Sequence, residues 1–222
     1  MFDALLRLLF PDRCLFCGKV CPHGDPGCAR CLEKLERREE GTLSTALLSP
    51  VTWADAPFAY TGLIRQGIHR FKFSKRRDAA PFFARAMADR VSQAFPTALP
   101  FDLVTWVPSS SQRMKERGFN PAQLLGEEVA ARLGLEGNGE LLFHRELQTQ
   151  HTLGRRQRAQ NAQRSFAPGR EIGQAAGRRI LLVDDVITTG STLRACAQLL
   201  AEGGALSLAA LAAAARGAQH HH

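Results

Sequence analysis

Two groups of side chains carry the chemistry of this sequence. The first is an acidic pair, Asp184 and Asp185, set between the apolar run Ile180–Val183 and the small-hydroxyl segment Val186–Thr192, so that Ile180–Thr192 reads ILLVDDVITTGST. Carboxylates accept hydrogen bonds from vicinal hydroxyls such as those of a ribose. Backbone N–H groups of Thr188–Thr192 at a helix start would cradle a phosphate, with the hydroxyls of Thr188, Thr189, Ser191 and Thr192 as further donors. Gly190 would let the main chain come close. The second group is cysteine: Cys14-x-x-Cys17 and Cys28-x-x-Cys31 are two pairs separated by a Gly- and Pro-containing turn. Two such knuckles meeting in space give tetrahedral thiolate ligation of zinc. Cys21 and His23 fall in the turn, where they read as turn residues with substitute ligation as the alternative.

A third, weaker constellation lies in Val107–Asn120, VPSSSQRMKERGFN. Ser109 and Ser110 follow an apolar run, and Arg113 and Arg117 are one helical turn apart, spaced to meet one polyanion from the same side. The stretch His144–Gly169 is dense in Arg, Gln, Thr and Asn and poor in apolar residues, which reads as a long functional loop. Within it, Gln150, Arg155, Arg156, Arg158 and Asn161 suit either a lid closing on a diphosphate or a groove for a nucleic-acid backbone.

The elements that must position these residues alternate. A helix is expected around Ala79–Phe95, a buried strand in Phe101–Pro108, a helix over Pro121–Leu133, and a short strand at Leu141–Phe143. A strand over Arg179–Val183, a helix over Ser191–Ala201 and a strand at Leu206–Leu211 follow. Strand, helix and strand in succession imply a parallel α/β sheet, whose ligands bind beyond the carboxyl ends of the strands. The Ala-rich LAALAAAARG near the end fits strand or helix. Leu32 and Leu35 of LEKLERREEG sit one helical turn apart, as do Phe2, Leu5, Leu6 and Leu9 at the start.

At 222 residues the chain has room for one α/β domain and a small appendage. We expect a cysteine module over 1–41, the α/β domain over 42–217, and a tag remnant over 218–222. The formal charge of +8 suits a phosphate-rich partner. No window approaches the roughly 20 apolar residues of a membrane span, and the apolar start lacks the basic opening and cleavage site of a secretory signal, so the expected location is cytoplasmic. Five of the six cysteines fall between Cys14 and Cys31, which favours metal over disulfides there. Cys196 reads as a small buried hydrophobe.

The segment ILLVDDVITTGST resembles the signature by which type I phosphoribosyltransferases bind 5-phosphoribosyl 1-pyrophosphate (PRPP). That resemblance implies that Asp184 and Asp185 hold the ribose hydroxyls as the catalytic pair and that Thr188–Thr192 hold the 5-phosphate. It also implies Mg²⁺ bridging ribose and pyrophosphate, and a pyrophosphate loop at Ser109–Arg113. Four further pieces are similar to the ComF family of competence-associated proteins: the cysteine pairs, Tyr60–Phe73 (YTGLIRQGIHRFKF), Arg117–Asn120 (RGFN) and Gln150–Phe166 (QHTLGRRQRAQNAQRSF). The likeness runs from about Phe2 to Arg216, with VPSSSQR a local departure at the pyrophosphate contacts. It implies a parallel-sheet type I phosphoribosyltransferase fold with an N-terminal zinc ribbon holding one structural Zn²⁺ on Cys14, Cys17, Cys28 and Cys31. Two functions then stand open. One is a binding module for PRPP with Mg²⁺ and for single-stranded DNA, serving DNA uptake in natural transformation alongside partner proteins of the uptake machinery. The other is an enzyme transferring ribose 5-phosphate to a nitrogen nucleophile with release of pyrophosphate, although no segment obviously selects an acceptor.

Overall fold

The computed structural model of the chain describes residues 11–39, 42–46, 48–146 and 164–216. The N-terminal periodic stretch, residues 218–222, and Gln150, Arg155, Arg156, Arg158 and Asn161 lie outside the described residues. The elements, in chain order, are helix α1 (Ala29–Leu32), strands β1 (Trp53–Asp55) and β2 (Phe58–Ala59), helices α2 (Gly62–Phe73) and α3 (Ala80–Ala94), strand β3 (Leu103–Trp106), helices α4 (Ser111–Arg117) and α5 (Pro121–Leu133), strands β4 (Glu136–Gly137), β5 (Leu142–His144), β6 (Phe166–Pro168) and β7 (Arg179–Ile187), helix α6 (Ser191–Glu202) and strand β8 (Ser207–Ala215).

The main sheet runs β1-β8-β7-β3-β4, with β2 also on β8, and every pairing in it is parallel. β5 and β6 form a separate antiparallel pair. From β3 the chain crosses through α5 to β4 in one direction; from β7 it crosses through α6 to β8 in the other. Because such crossovers are right-handed, the two helices fall on opposite faces, and the strand order reverses between β3 and β7. A crevice opens at the carboxyl ends of strands at such a reversal. α3 and α5 pack on each other, α5 lies against β3 and β7, and α3 lies against β8.

Local sequence accounts for most boundaries. Asn120 caps α5 by accepting from Ala122 N at 3.1 Å, Pro121 occupies the first turn, and Gly134 closes the helix in the left-handed region. In α2, Ile64, Gly67, Ile68 and Phe71 form the inward stripe. The Ala-rich segment is strand β8. Alanine favours helix intrinsically, but here it is sandwiched in a sheet, where Leu208–Ala215 are all buried and small side chains suit covering on both faces. Two expectations are corrected. Strand β7 does not stop at Val183 but continues through the acid pair to Ile187, because β8 pairs with it as far as Ala215. The Leu32 and Leu35 spacing does not extend a helix: α1 ends at Leu32, both leucines pack on the core, and Arg37 bridges to Phe58.

The cysteine module shares one apolar core with the sheet. Phe16 is fully buried, with its ring edge-on to Phe82 at 5.6 Å. It wedges against Gly67 of α2, where a Cβ would lie 2.9 Å from the ring. Arg70 of α2 donates to the carbonyls of Leu15, at 3.1 Å, and Phe16. Across the sheet, Asp55 of β1 is buried against Arg90 of α3 and accepts from Arg38 at 3.1 Å. No described helix is long and apolar enough to cross a membrane.

Candidate functional site

The crevice at the β3/β7 reversal is a cleft of about 260 Å³. Its walls come from the end of β3 and the loop after it, from the end of β7 and the start of α6, and from α2. Asp184, Asp185, Thr188, Thr192, Ser109, Arg113 and Arg117 all line it, which unites residues from two distant stretches of sequence. Lys72, Tyr60, Asn120 and Phe166 line it too.

The acid pair is asymmetric. Asp185 is bound by Lys72 Nζ at 2.8 Å. Asp184 Oδ1 accepts from Asp185 N at 2.8 Å. Loss of hydration pushes the Asp184 carboxyl up to about 7, and the neighbouring Asp185 charge adds to it; Lys72, the Asp185 N–H and Arg113 oppose the rise. The empty cleft thus disfavours charge on Asp184, and a cation or hydroxyl donor arriving there would favour it.

Beside the pair, α6 begins at Ser191 after Gly190, which has φ of +73° and offers no side-chain cap. Ser191 N donates weakly to Thr189 Oγ1 at 3.4 Å, and the amides after it at the helix start face an anion with the positive end of the helix dipole behind them. Gly190 is needed for both reasons glycine is usually needed: its positive φ, and the 2.2 Å that a Cβ there would leave to Leu48 Cδ2. Thr189 and Ser191 pair their hydroxyls at 2.8 Å, while Thr188 and Thr192 face the cleft.

Opposite in sequence, the segment after β3 is held by Asn120. Its Nδ2 donates to Val107 O at 2.9 Å, and its Oδ1 accepts from Ser109 Oγ at 3.0 Å. Ser110, expected among the phosphate contacts, caps α4 by accepting from Arg113 N at 3.3 Å, which leaves its hydroxyl hydrogen to donate. Arg117 lies with its guanidinium 4.7 Å from the ring centroid of Phe73, and its Nε is buried without a hydrogen-bond partner among the described residues. Burial lowers its pKa, with the charge of Asp185 opposing. Counting Lys72, Arg113 and Arg117 against two carboxylates, the cleft favours a polyanion.

Sequence reasoning assigned no role to Lys72 or Asn120. Asn before Pro121 carried a readable capping signal; Lys72 carried only the oddity of a cation between two phenylalanines.

The sulfurs of Cys14, Cys17, Cys28 and Cys31 all lie within 4.8 Å of one another, and all four cysteines are free thiols. Cys17 and Cys28 are 3.8 Å apart. A tetrahedron with zinc–sulfur bonds of about 2.3 Å has edges of about 3.8 Å, so the cluster is compatible with a structural zinc ion. The N–H groups of Phe16 and Cys17 both point at Cys14 Sγ, at 3.4 Å. Burial opposes charge on Cys14, yet these donors and Cys28 N–H outweigh it and bring the thiol down to about 6. Burial and the neighbouring thiols push Cys31 up to about 12. Four adjacent thiolates are thus sustained only around a cation. Cys21 and His23 stand outside the cluster: Cys21 Sγ lies 3.9 Å from Asp25 O, and His23 Nδ1 pairs with Asp12 at 2.6 Å.

Residues 122–222 match the Phosphoribosyl transferase domain family. The chain is 32% identical over 200 residues to DNA utilization protein YhgH of Salmonella typhi, spanning 88% of this chain and 80% of that one. It is 33% identical over 141 residues to Competence protein F of Haemophilus influenzae, covering 62% and 61% of the two chains. With Competence protein ComFC of Bacillus subtilis it shares 28% over 148 residues, covering 66% and 57%. The parallel sheet, its reversal point and this continuous likeness agree: the chain belongs to the ComF family, built on the phosphoribosyltransferase fold.

Proposed function

We propose that this protein binds PRPP with Mg²⁺ in the β3/β7 cleft, binds single-stranded DNA beside it, and serves the use of incoming DNA in the cytoplasm. The observation that carries the PRPP reading is the convergence of Asp184–Asp185, the uncapped start of α6, and Arg113 with Arg117 on one cleft. The acid pair would hold ribose hydroxyls and the metal ion, the α6 amides with Thr188 and Thr192 the 5-phosphate, and the two arginines the pyrophosphate. Lys72, by holding Asp185, sets the charge of the pair before ligand arrives. The names of the relatives support the DNA role, as does the chain's charge of +8. A zinc ion on the four cysteines would lock the N-terminal module to α2 and so keep Lys72 in register with β7.

The test is fluorescence anisotropy of a labelled single-stranded oligonucleotide at fixed, near-physiological salt, with and without Mg²⁺-PRPP, and calorimetric titration of PRPP. Binding of both ligands by the parent, and loss of PRPP binding in Asp185→Asn, is the expected result. An oligonucleotide that does not bind removes the DNA role, and PRPP that does not bind removes the role of the cleft. A second reading, transfer of ribose 5-phosphate to a nitrogen nucleophile, is favoured by Phe166 of β6, which gives the same cleft an aromatic wall for a planar acceptor. Pyrophosphate release with a panel of nitrogen nucleophiles tests it.

A further inference from the structure

Helix α2 buries Ile64, Gly67, Ile68 and Phe71, and turns Arg65, His69 and Phe73 outward at successive intervals of four residues. Residues so spaced lie one above another on a single helix face. Phe73 is 53% exposed at the end of this stripe. An apolar ring left partly in water forgoes burial, but a lone exposed ring would by itself mean little. This ring is not alone. The His69 ring lies 4.8 Å from it, and the Arg117 guanidinium lies 4.7 Å from its centroid. Arg117 lines the cleft, and so does Arg113, one turn earlier on α4.

The side chains therefore form a continuous track: Arg65, His69 and Phe73 along α2, then Arg117 and Arg113 into the cleft. Among the described residues no carboxylate forms an ion pair with Arg65, Arg113 or Arg117, so their charges remain available to an anion. An aromatic ring flanked by cations at the lip of a phosphate-binding cleft has the chemistry of a single-strand track, since every base offers a π-face and every linkage a phosphate. A duplex, whose bases are stacked inside, would gain only the charge term.

Building on the single-strand reading above, we infer that Phe73, with His69 beside it, is the stacking platform for a base of single-stranded nucleic acid, and that Arg65, Arg113 and Arg117 hold the adjoining phosphates. The strand then runs from the face of α2 onto the lip of the cleft, where its phosphates and the pyrophosphate of PRPP call on the same two arginines.

The experiment uses the full chain and a labelled oligothymidylate. Phe73→Ala and Phe73→Leu are expected to weaken binding at least fivefold, the lower end of what one stacked base contributes. Phe73→Trp is expected to hold affinity within about threefold and to report stacking directly, through quenching of the added tryptophan's emission as oligonucleotide is titrated. Because the ring is exposed, all three variants should keep the parent's urea midpoint. Affinity in Phe73→Ala within twofold of a parent that does bind, or an added tryptophan whose emission ignores the oligonucleotide, overturns this inference and leaves the proposed function standing. A parent that fails to bind any oligonucleotide overturns both.

Discussion

Replacing Asp184 by Asn should stabilise the ligand-free protein at alkaline pH while removing a ligand for Mg²⁺-PRPP. In the folded protein this carboxyl is raised from 3.8 to about 7, chiefly by lost hydration and then by the Asp185 charge. A raised acid takes up protons on folding, so its contribution to stability is most favourable below about pH 4, falls as pH rises, and is fully lost above about pH 7. The whole excursion corresponds to about 4 kcal/mol, at about 1.4 kcal/mol per pH unit within the window. Asn mimics the protonated form and does not titrate. The stability gap between Asp184→Asn and the parent should therefore widen by about 3 kcal/mol between pH 5 and pH 8, the part of the window above pH 5. Urea denaturation in magnesium-free buffer, with zinc retained, measures it. Titration of the cysteines is common to both proteins and cancels in the difference. A gap that stays constant within about 0.5 kcal/mol over that range would refute the account of the acid pair, since it would mean that Asp184 carries its charge in the empty cleft at no cost.

Phe16→Ala should destabilise the protein by about 3–5 kcal/mol in urea titration, because it empties a fully buried wedge between the cysteine module and α2; a loss under about 1 kcal/mol would mean the two units do not share a core. Metal analysis of protein purified without chelator should give one zinc per chain, retained in Cys21→Ser and lost in Cys14→Ser or Cys28→Ser; retention of full zinc in the latter two would displace the site from the four-cysteine cluster. Gly190→Ala should weaken PRPP binding at least tenfold with about 1 kcal/mol of lost stability, since it strains a positive φ and crowds Leu48; unaltered PRPP affinity would show that the α6 start does not hold the phosphate.

The parts of the site that are contiguous in sequence were legible in it. Ile180–Thr192 combines an apolar run, two acids and a helix start, and the structure assembles those three things in that order. The bounds of α5 follow from Asn120, Pro121 and Gly134, which act within one turn. What was hidden depends on distance. Lys72 acquires meaning only through Asp185, which the fold brings to it from another strand–helix unit. The capping role of Ser110 was not visible either, because its hydroxyl reads the same whether or not it accepts from the start of α4. The alanine run was ambiguous because propensity favours helix, while burial between two helical layers, a tertiary fact, makes it strand β8. Leu32 and Leu35 kept a helical spacing for another reason, as both rest on the core from an irregular segment.

Helix α2 touches both ends of the molecule's chemistry within one turn. Arg70 grips main-chain carbonyls of the cysteine module, and Lys72 grips the acid pair. With 12 residues the helix is about 18 Å long and stiff on that scale. Phe16 against Gly67 is the packing contact nearest its middle, so the helix joins the module to the acid pair through Arg70, Gly67 and Lys72. A metal ion on the cysteine cluster and an anion in the cleft would bear on the same helix, and any coupling between them would be reciprocal.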